Sequence, residues 1–129
     1  MNKYLSFVLD RASRERLLLA VPPLYEKVLA DHVTLLYPKW QMEAVAMQRL
    51  YLEMVHEVHE VFAISHYIDD DIHAVGVSFN GKQRRLLGGF YHVTISLQGN
   101  ARAADSNTLT RCVNLDKHVR LQGHIQIST

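Results

Sequence analysis

Towards the end of the chain Val119, Leu121, Ile125 and Ile127 alternate with Arg120, Gln122, His124 and Gln126. That period of two is the pattern of a half-buried strand. Runs rich in β-branched and aromatic residues predict further strands over 4–9, 31–37, 58–68, 72–79 and 91–97. Between them helical spacing takes over. Asp10 or Ser13 can cap a helix running to about Val21, with Leu17, Leu18 and Val21 as its buried stripe and Pro22-Pro23 as its stop. Residues 24–29 read as a brief helical segment. After Pro38, which suits a first helical turn, the longest predicted helix runs from Gln41 to about Val55, with Met42, Val45, Ala46, Leu50 and Met54 near helical spacing. Met42, Met47 and Met54 are assigned to its packing. Asp105 or Ser106 can cap a short late helix carrying Leu109, Cys112 and Val113. Asp69-Asp70-Asp71 and Asn80-Gly81 mark turns, and 82–89 is a basic loop containing glycines. No linker or low-complexity tract interrupts the series, so 1–129 is expected to be one domain.

Two of the strands open alike. Asp31-His32-Val33-Thr34-Leu35 and Tyr91-His92-Val93-Thr94-Ile95 both read His-Val-Thr followed by an aliphatic residue. Residues i and i+2 of a strand project to one face, so each copy sets an imidazole beside a hydroxyl. Strict alternation assigns Val33, Leu35 and Tyr37 to the opposite, apolar face of the first strand. It assigns Val93, Ile95 and Leu97 to that of the second, and Tyr91 also goes to the core. The remaining chain is then the scaffold that brings the two polar faces together.

Composition narrows the field. A chain of 129 residues with 48% hydrophobic and 21% charged side chains matches one soluble globular domain. A net charge of +1 supplies no global positive field of the kind that drives duplex binding. Duplex DNA is therefore not expected, whereas a small or single-stranded anionic ligand fits. Cys112 is the only cysteine, which excludes an intrachain disulfide and argues against a cysteine-based zinc site. The apolar run at 4–9 is broken by Ser6 and closed by Asp10, so neither a signal peptide nor a membrane span is expected. A reducing, cytoplasmic compartment is expected.

Hydrolysing a phosphodiester without a metal takes a base for the nucleophile and an acid for the leaving oxygen. It also takes donors for the non-bridging oxygens. Two histidines across a cleft can be base and acid near neutral pH, because an ordinary imidazole pKa of about 6.5 allows one to be neutral while the other is protonated. The threonine beside each can donate to a phosphate oxygen. On the residues alone, the same pattern also fits two structural histidines.

His32-Val33-Thr34-Leu35 and His92-Val93-Thr94-Ile95 resemble the paired His-x-Thr/Ser-hydrophobic signature of the 2H phosphoesterase superfamily. That superfamily includes 2′,5′ RNA ligase-like proteins and cyclic nucleotide phosphodiesterases. More narrowly, Tyr4-Leu5-Ser6-Phe7-Val8-Leu9-Asp10 with Ser13, the approach from Pro23 to Asp31, and Ser106-Asn107 are similar to the cyclic-phosphodiesterase module of fungal tRNA ligases and its free-standing "Swiss Army knife" RNA-repair relatives. The resemblance implies a bilobal α+β fold, with two antiparallel sheets forming a central cleft and helices on its flanks. It implies metal-independent catalysis with no cofactor, His32 and His92 as acid and base, and Thr34 and Thr94 orienting the phosphate. The implied reaction opens a 2′,3′-cyclic phosphate on an RNA end or small nucleotide, giving a 2′-phosphate. Rival readings are a phosphodiesterase for 2′–5′ or cyclic oligonucleotides, a non-catalytic RNA or nucleotide binder, and an interaction domain pairing through its last strand.

Lys82, Arg84 and Arg85 precede the second motif, with Gly88-Gly89 as a possible hinge. They are candidates to clamp a phosphate, although a solvated basic hairpin fits them equally well. Trp40 is a candidate to stack a base or to staple the following helix. His56, His59, His66 and His73 lack the spacing of a zinc site, and Asp69-Asp70-Asp71 has no ligand pattern after it, so no metal is expected.

Overall fold

The computed structural model describes residues 3–85, 88–103 and 112–129. Among these, strands and helices follow in the order β1 (Tyr4–Leu9), α1 (Arg11–Ala20), β2 (Lys27–Val28), β3 (His32–Leu36), α2 (Gln41–Met54), β4 (Val61–Ile68), β5 (Ile72–Phe79), β6 (His92–Leu97), β7 (Val113–Leu121) and β8 (Gly123–Ser128). The strands form two antiparallel sheets, ordered β3-β1-β8 and β2-β6-β5-β4-β7. Helix α1 packs on β7, and α2 packs on β8 and β1. This is the expected α+β class, with two sheets and flanking helices.

Both sheets contribute to one hydrophobic core. Leu5, Phe7 and Leu9 of β1 meet Val33 and Leu35 of β3, Val75, Val77 and Phe79 of β5, and Val93 and Ile95 of β6. Each such side chain contributes roughly 1.5–3 kcal/mol by leaving water. The apolar partners of both motifs are therefore anchored, which leaves the alternate positions to face outward.

Local chemistry explains the ends of α1. Asp10 is its N-cap, accepting from the Ser13 backbone N–H at 2.7 Å. The buried Ser13 hydroxyl in turn accepts from the Gln122 N–H at 2.7 Å. Leu17 and Val21 are fully buried, and Leu18 packs at the edge of the core.

Four expectations change. Residues 24–29 do not form a helix. Lys27 and Val28 form a short strand instead, because they can satisfy their backbone groups against Leu97 and Ser96 of β6. On α2 the buried face is set by Met47, flanked by Leu50 and Met54, while Met42 is 83% exposed and Val45 points outward too. The alternating tail is two strands rather than one. It breaks at Gln122, so β7 belongs to the larger sheet and β8 to the smaller. Gly123 permits the crossing, since a Cβ there would lie 1.9 Å from the Val8 carbonyl oxygen. Finally, Val113 opens β7 and is not helical. The rest of that expected helix, with its cap at Asp105 or Ser106, and the Ser106-Asn107 pair lie outside the described residues.

Candidate active site

Each His-Val-Thr strand carries the same irregularity. In β3 the register against β1 runs Val8↔His32, Phe7↔Val33 and Ser6↔Thr34, then shifts to Leu5↔Leu36. In β6 the register against β5 runs Gly76↔His92, Val75↔Val93 and Ala74↔Thr94, then shifts to His73↔Ser96. Leu35 and Ile95 are the residues passed over, each one a β-bulge immediately after the threonine. A bulge reverses the parity of everything beyond it. Tyr37 thus turns to the His32/Thr34 face, correcting its assignment to the core. It stacks on Tyr4 with ring centroids 5.7 Å apart. Leu97 is buried but leaves the continuous core cluster for the same reason. Tyr91 is buried in the core, as expected.

The two motifs are joined by a backbone stitch. After β2 the chain keeps bonding to β6, the Leu29 N–H donating to the Ile95 carbonyl at 2.8 Å and the Ala30 N–H to the Thr94 carbonyl at 2.9 Å. It then swings to the smaller sheet, where the Asp31 carbonyl accepts from the Leu9 N–H at 2.9 Å. Ala30, fully buried with φ of +55°, makes the turn between sheets. His32 therefore stands two residues from a hydrogen bond to Thr94, and Thr94 stands two residues from His92.

The result is a cleft of about 440 Å³ lined by His32, Thr34, His92, Thr94, Arg85 and Lys39, with Tyr4, Tyr37, Asp31, Leu29 and Ala103 completing its wall. The four catalytic candidates are together. His92 Nδ1 lies 3.0 Å from the Phe90 carbonyl oxygen. A carbonyl only accepts, so Nδ1 carries the hydrogen, and in the neutral ring Nε2 keeps its lone pair. Burial holds the His92 pKa below its ordinary value. The Phe90 carbonyl pulls it upward, while Arg85 and His32 push it further down. Burial also lowers the His32 pKa, with Asp31 acting against the shift. His32 packs obliquely against Tyr4, ring centroids 5.5 Å apart.

Of Lys82, Arg84 and Arg85, only Arg85 lines the cleft. Its Nε donates to the Gly88 carbonyl at 3.1 Å, and burial lowers its pKa with Tyr91 opposing the shift. Gly89, with φ of +81°, makes room for it, because a Cβ there would lie 2.7 Å from the Arg85 Nη2. Arg84 instead covers the Phe90 ring, its Cζ 4.9 Å from the centroid. Lys82 is exposed and pairs through its backbone with Phe79. Trp40 is 71% exposed and lies outside the cleft, on a neighbouring cavity. The pattern reading missed Tyr4, Asp31 and Lys39. Tyr4 had a usable signal, because it shares the polar face of β1 with Ser6.

His56, His59, His66 and His73 do not converge on one point. His59 Nε2 contacts the Met54 carbonyl at 2.9 Å and its ring lies on Phe79. His66 and His73 pair with each other at 3.4 Å, and His56 is exposed at the end of α2. Among the described residues no cluster of three or more His, Cys, Asp or Glu side chains is placed to hold a metal ion, and no helix is long and apolar enough to cross a membrane.

No protein-family model matches the chain, and no curated protein matches it. Among solved structures the chain is similar to one described as a fungal RNA kinase, with a TM-score of 0.62 and 14% sequence identity. The likeness covers 97% of this chain and 45% of that one, so this chain spans less than half of that protein's length.

Proposed function

We propose that this protein is a 2H-type phosphodiesterase that opens a 2′,3′-cyclic phosphate at the end of an RNA or nucleotide, leaving a 2′-phosphate. The observation that carries the reading is that both His-x-Thr pairs, from strands sixty residues apart in sequence, line one cleft with Arg85 and Lys39. Two imidazoles, two hydroxyls and two cations are the parts a phosphate monoanion needs for in-line hydrolysis without a metal. The description of the structural neighbour as an RNA kinase supports RNA as the substrate class.

The environments divide the roles. His92, with Nδ1–H fixed on the Phe90 carbonyl and two cationic neighbours disfavouring its protonation, is the base. Its Nε2 takes a proton from water as the water oxygen bonds to phosphorus. His32, beside Asp31, is the acid that protonates O3′ as the P–O3′ bond breaks. Thr34 and Thr94 hold the non-bridging oxygens, Arg85 and Lys39 balance their charge, and Tyr4 with Tyr37 forms an aromatic wall for the base.

The test is incubation with an RNA bearing a 2′,3′-cyclic end, followed by end-group analysis in buffer with EDTA. A 2′-phosphate end is expected at an undiminished rate. Absence of turnover would remove the reading, and loss on chelation alone would remove its metal-free mechanism.

A further inference from the structure

A second cavity of about 450 Å³ opens beside the cleft, where the chain enters α2. Its lining includes Lys3, Pro38, Lys39, Trp40, Gln41 and Gln48. Lys39 lines both cavities. Neither the catalytic candidates nor the fold explains this site. Trp40, with most of its surface in water, makes a poor staple for the helix behind it.

We infer that this cavity holds the nucleotide preceding the reacting end of a single-stranded RNA, so that the protein prefers an oligonucleotide to a free cyclic nucleotide. The inference rests on the cleft being the phosphodiesterase site proposed above. A 2′,3′-cyclic end is joined through its 5′ oxygen to one further phosphate, and that phosphate must leave the cleft beside the terminal nucleoside. Lys39 stands at the junction of the two cavities, where a cation would meet it. Beyond it, an exposed indole offers a face on which any base can stack, and sequence-tolerant stacking of this kind is how single strands are held. Lys3, Gln41 and Gln48 add a cation and amides for backbone and base edges. Each cavity has a volume suited to a small ligand of nucleotide size. Ala44, Val45 and Met47 give the same cavity an apolar side beside Trp40, whereas the exposed Met42 lines neither this cavity nor the cleft.

Trp40 is the chain's only tryptophan, so its fluorescence reports on the cavity independently of turnover. Titration should use a short oligoribonucleotide with a 2′-phosphate end and, separately, the corresponding mononucleotide. The oligonucleotide is expected to quench Trp40 and the mononucleotide to leave it unchanged, in the wild type and in His92→Ala alike. With cyclic-ended substrates, kcat/KM is expected to be roughly tenfold higher for the oligonucleotide, the size of one stacked base. Trp40→Ala with Lys3→Ala should abolish that increment without altering mononucleotide hydrolysis, and Trp40→Phe should retain most of it. Quenching without turnover would overturn the phosphodiesterase reading and keep RNA in this cavity. Turnover with no quenching and equal kcat/KM would overturn the inference alone, as would fluorescence that follows protein concentration and ignores RNA.

Discussion

Leu35 and Ile95 occupy equivalent places in two different sheets, each the single residue passed over by strand pairing directly after a His-Val-Thr triplet. The bulges keep both aliphatic side chains in the core while turning the residues beyond them. In β3 the consequence reaches the cleft, because the reversed parity delivers Tyr37 to its wall, stacked on Tyr4.

Tyr37→Ala is therefore expected to raise KM for a cyclic nucleotide about tenfold with a small change in kcat, and Tyr37→Phe to leave both nearly as they are. The phenol is 45% exposed, so the fold should tolerate either change. An unaltered KM for the alanine variant would move the base-binding wall elsewhere.

The same bulges mark where a sequence reading stops. Period-two alternation located both polar faces, since His32, Thr34, His92 and Thr94 all precede the irregularity. It misassigned Tyr37 and Leu97, which follow it, because a bulge is a property of two paired strands and one strand's pattern does not encode it. The last strand failed for a related reason. Alternation runs on through Gln122 while the chain changes sheets, and hydrophobic period carries no record of the partner strand. On α2, helical spacing and the packing of Met47, Leu50 and Met54 were right, but Met42 and Val45 turn outward, because the edge of the buried face depends on β1 and β8 behind it. Of the basic loop, composition flagged Lys82, Arg84 and Arg85 equally. Only the tight turn at Gly88 and Gly89 aims Arg85 inward.

Removing either imidazole should be severe. His32→Ala and His92→Ala are each expected to lower kcat by about 10²–10⁴, and the double variant should be little worse than the poorer single one, because the two act as a unit. Thr34→Val and Thr94→Val should cost roughly tenfold to a hundredfold each, the order of losing one donor to a charged oxygen. Single-turnover rates on a cyclic-ended RNA would measure this. A His92→Ala variant with near wild-type rate would refute the assigned base.

The pH profile follows from the lowered imidazoles. The base works only when neutral, above its pKa, and the acid only when protonated, below its pKa. Burial moves both below the ordinary value of about 6.5. A cyclic phosphate diester does not titrate in this range, so kcat/KM should be bell-shaped with its maximum on the acid side of about 6.5. Asp31→Asn removes the charge that supports protonated His32, and it should draw the alkaline limb to still lower pH. An alkaline optimum would contradict the assignment of both histidines.

Arg85 should be separable from its neighbours. Arg85→Ala is expected to raise KM roughly tenfold or more, the loss of a charge-assisted contact to phosphate, while Arg84→Ala and Lys82→Ala should not change it. Gly89→Ala offers an independent check. Its Cβ would collide with the Arg85 guanidinium and force a residue with φ of +81° to carry a side chain, so KM should rise in the same direction although no charge is lost. Equal effects from Arg84→Ala and Arg85→Ala would point to diffuse charge in the loop.

Away from the cleft, His73 sets a limit on acid stability. Its side chain is buried, 1% exposed, and its Nδ1 has no hydrogen-bond partner among the described residues. Its Nε2 faces His66 Nδ1 at 3.4 Å. Burial first, and the neighbouring His66 second, push its pKa down to about 4. The unfolded chain takes up the proton near 6.5, so the stabilisation is intact above that pH and is lost progressively as pH falls towards 4, an effect of about 3 kcal/mol at most. Urea midpoints should therefore drop between pH 7 and pH 4.5. His73→Leu, of similar volume and unable to titrate, should show a shallower drop over the same interval. Carboxylates titrate identically in both proteins, so the difference between the two slopes isolates the imidazole. Parallel slopes would mean that water reaches His73 and lets it protonate in the folded state.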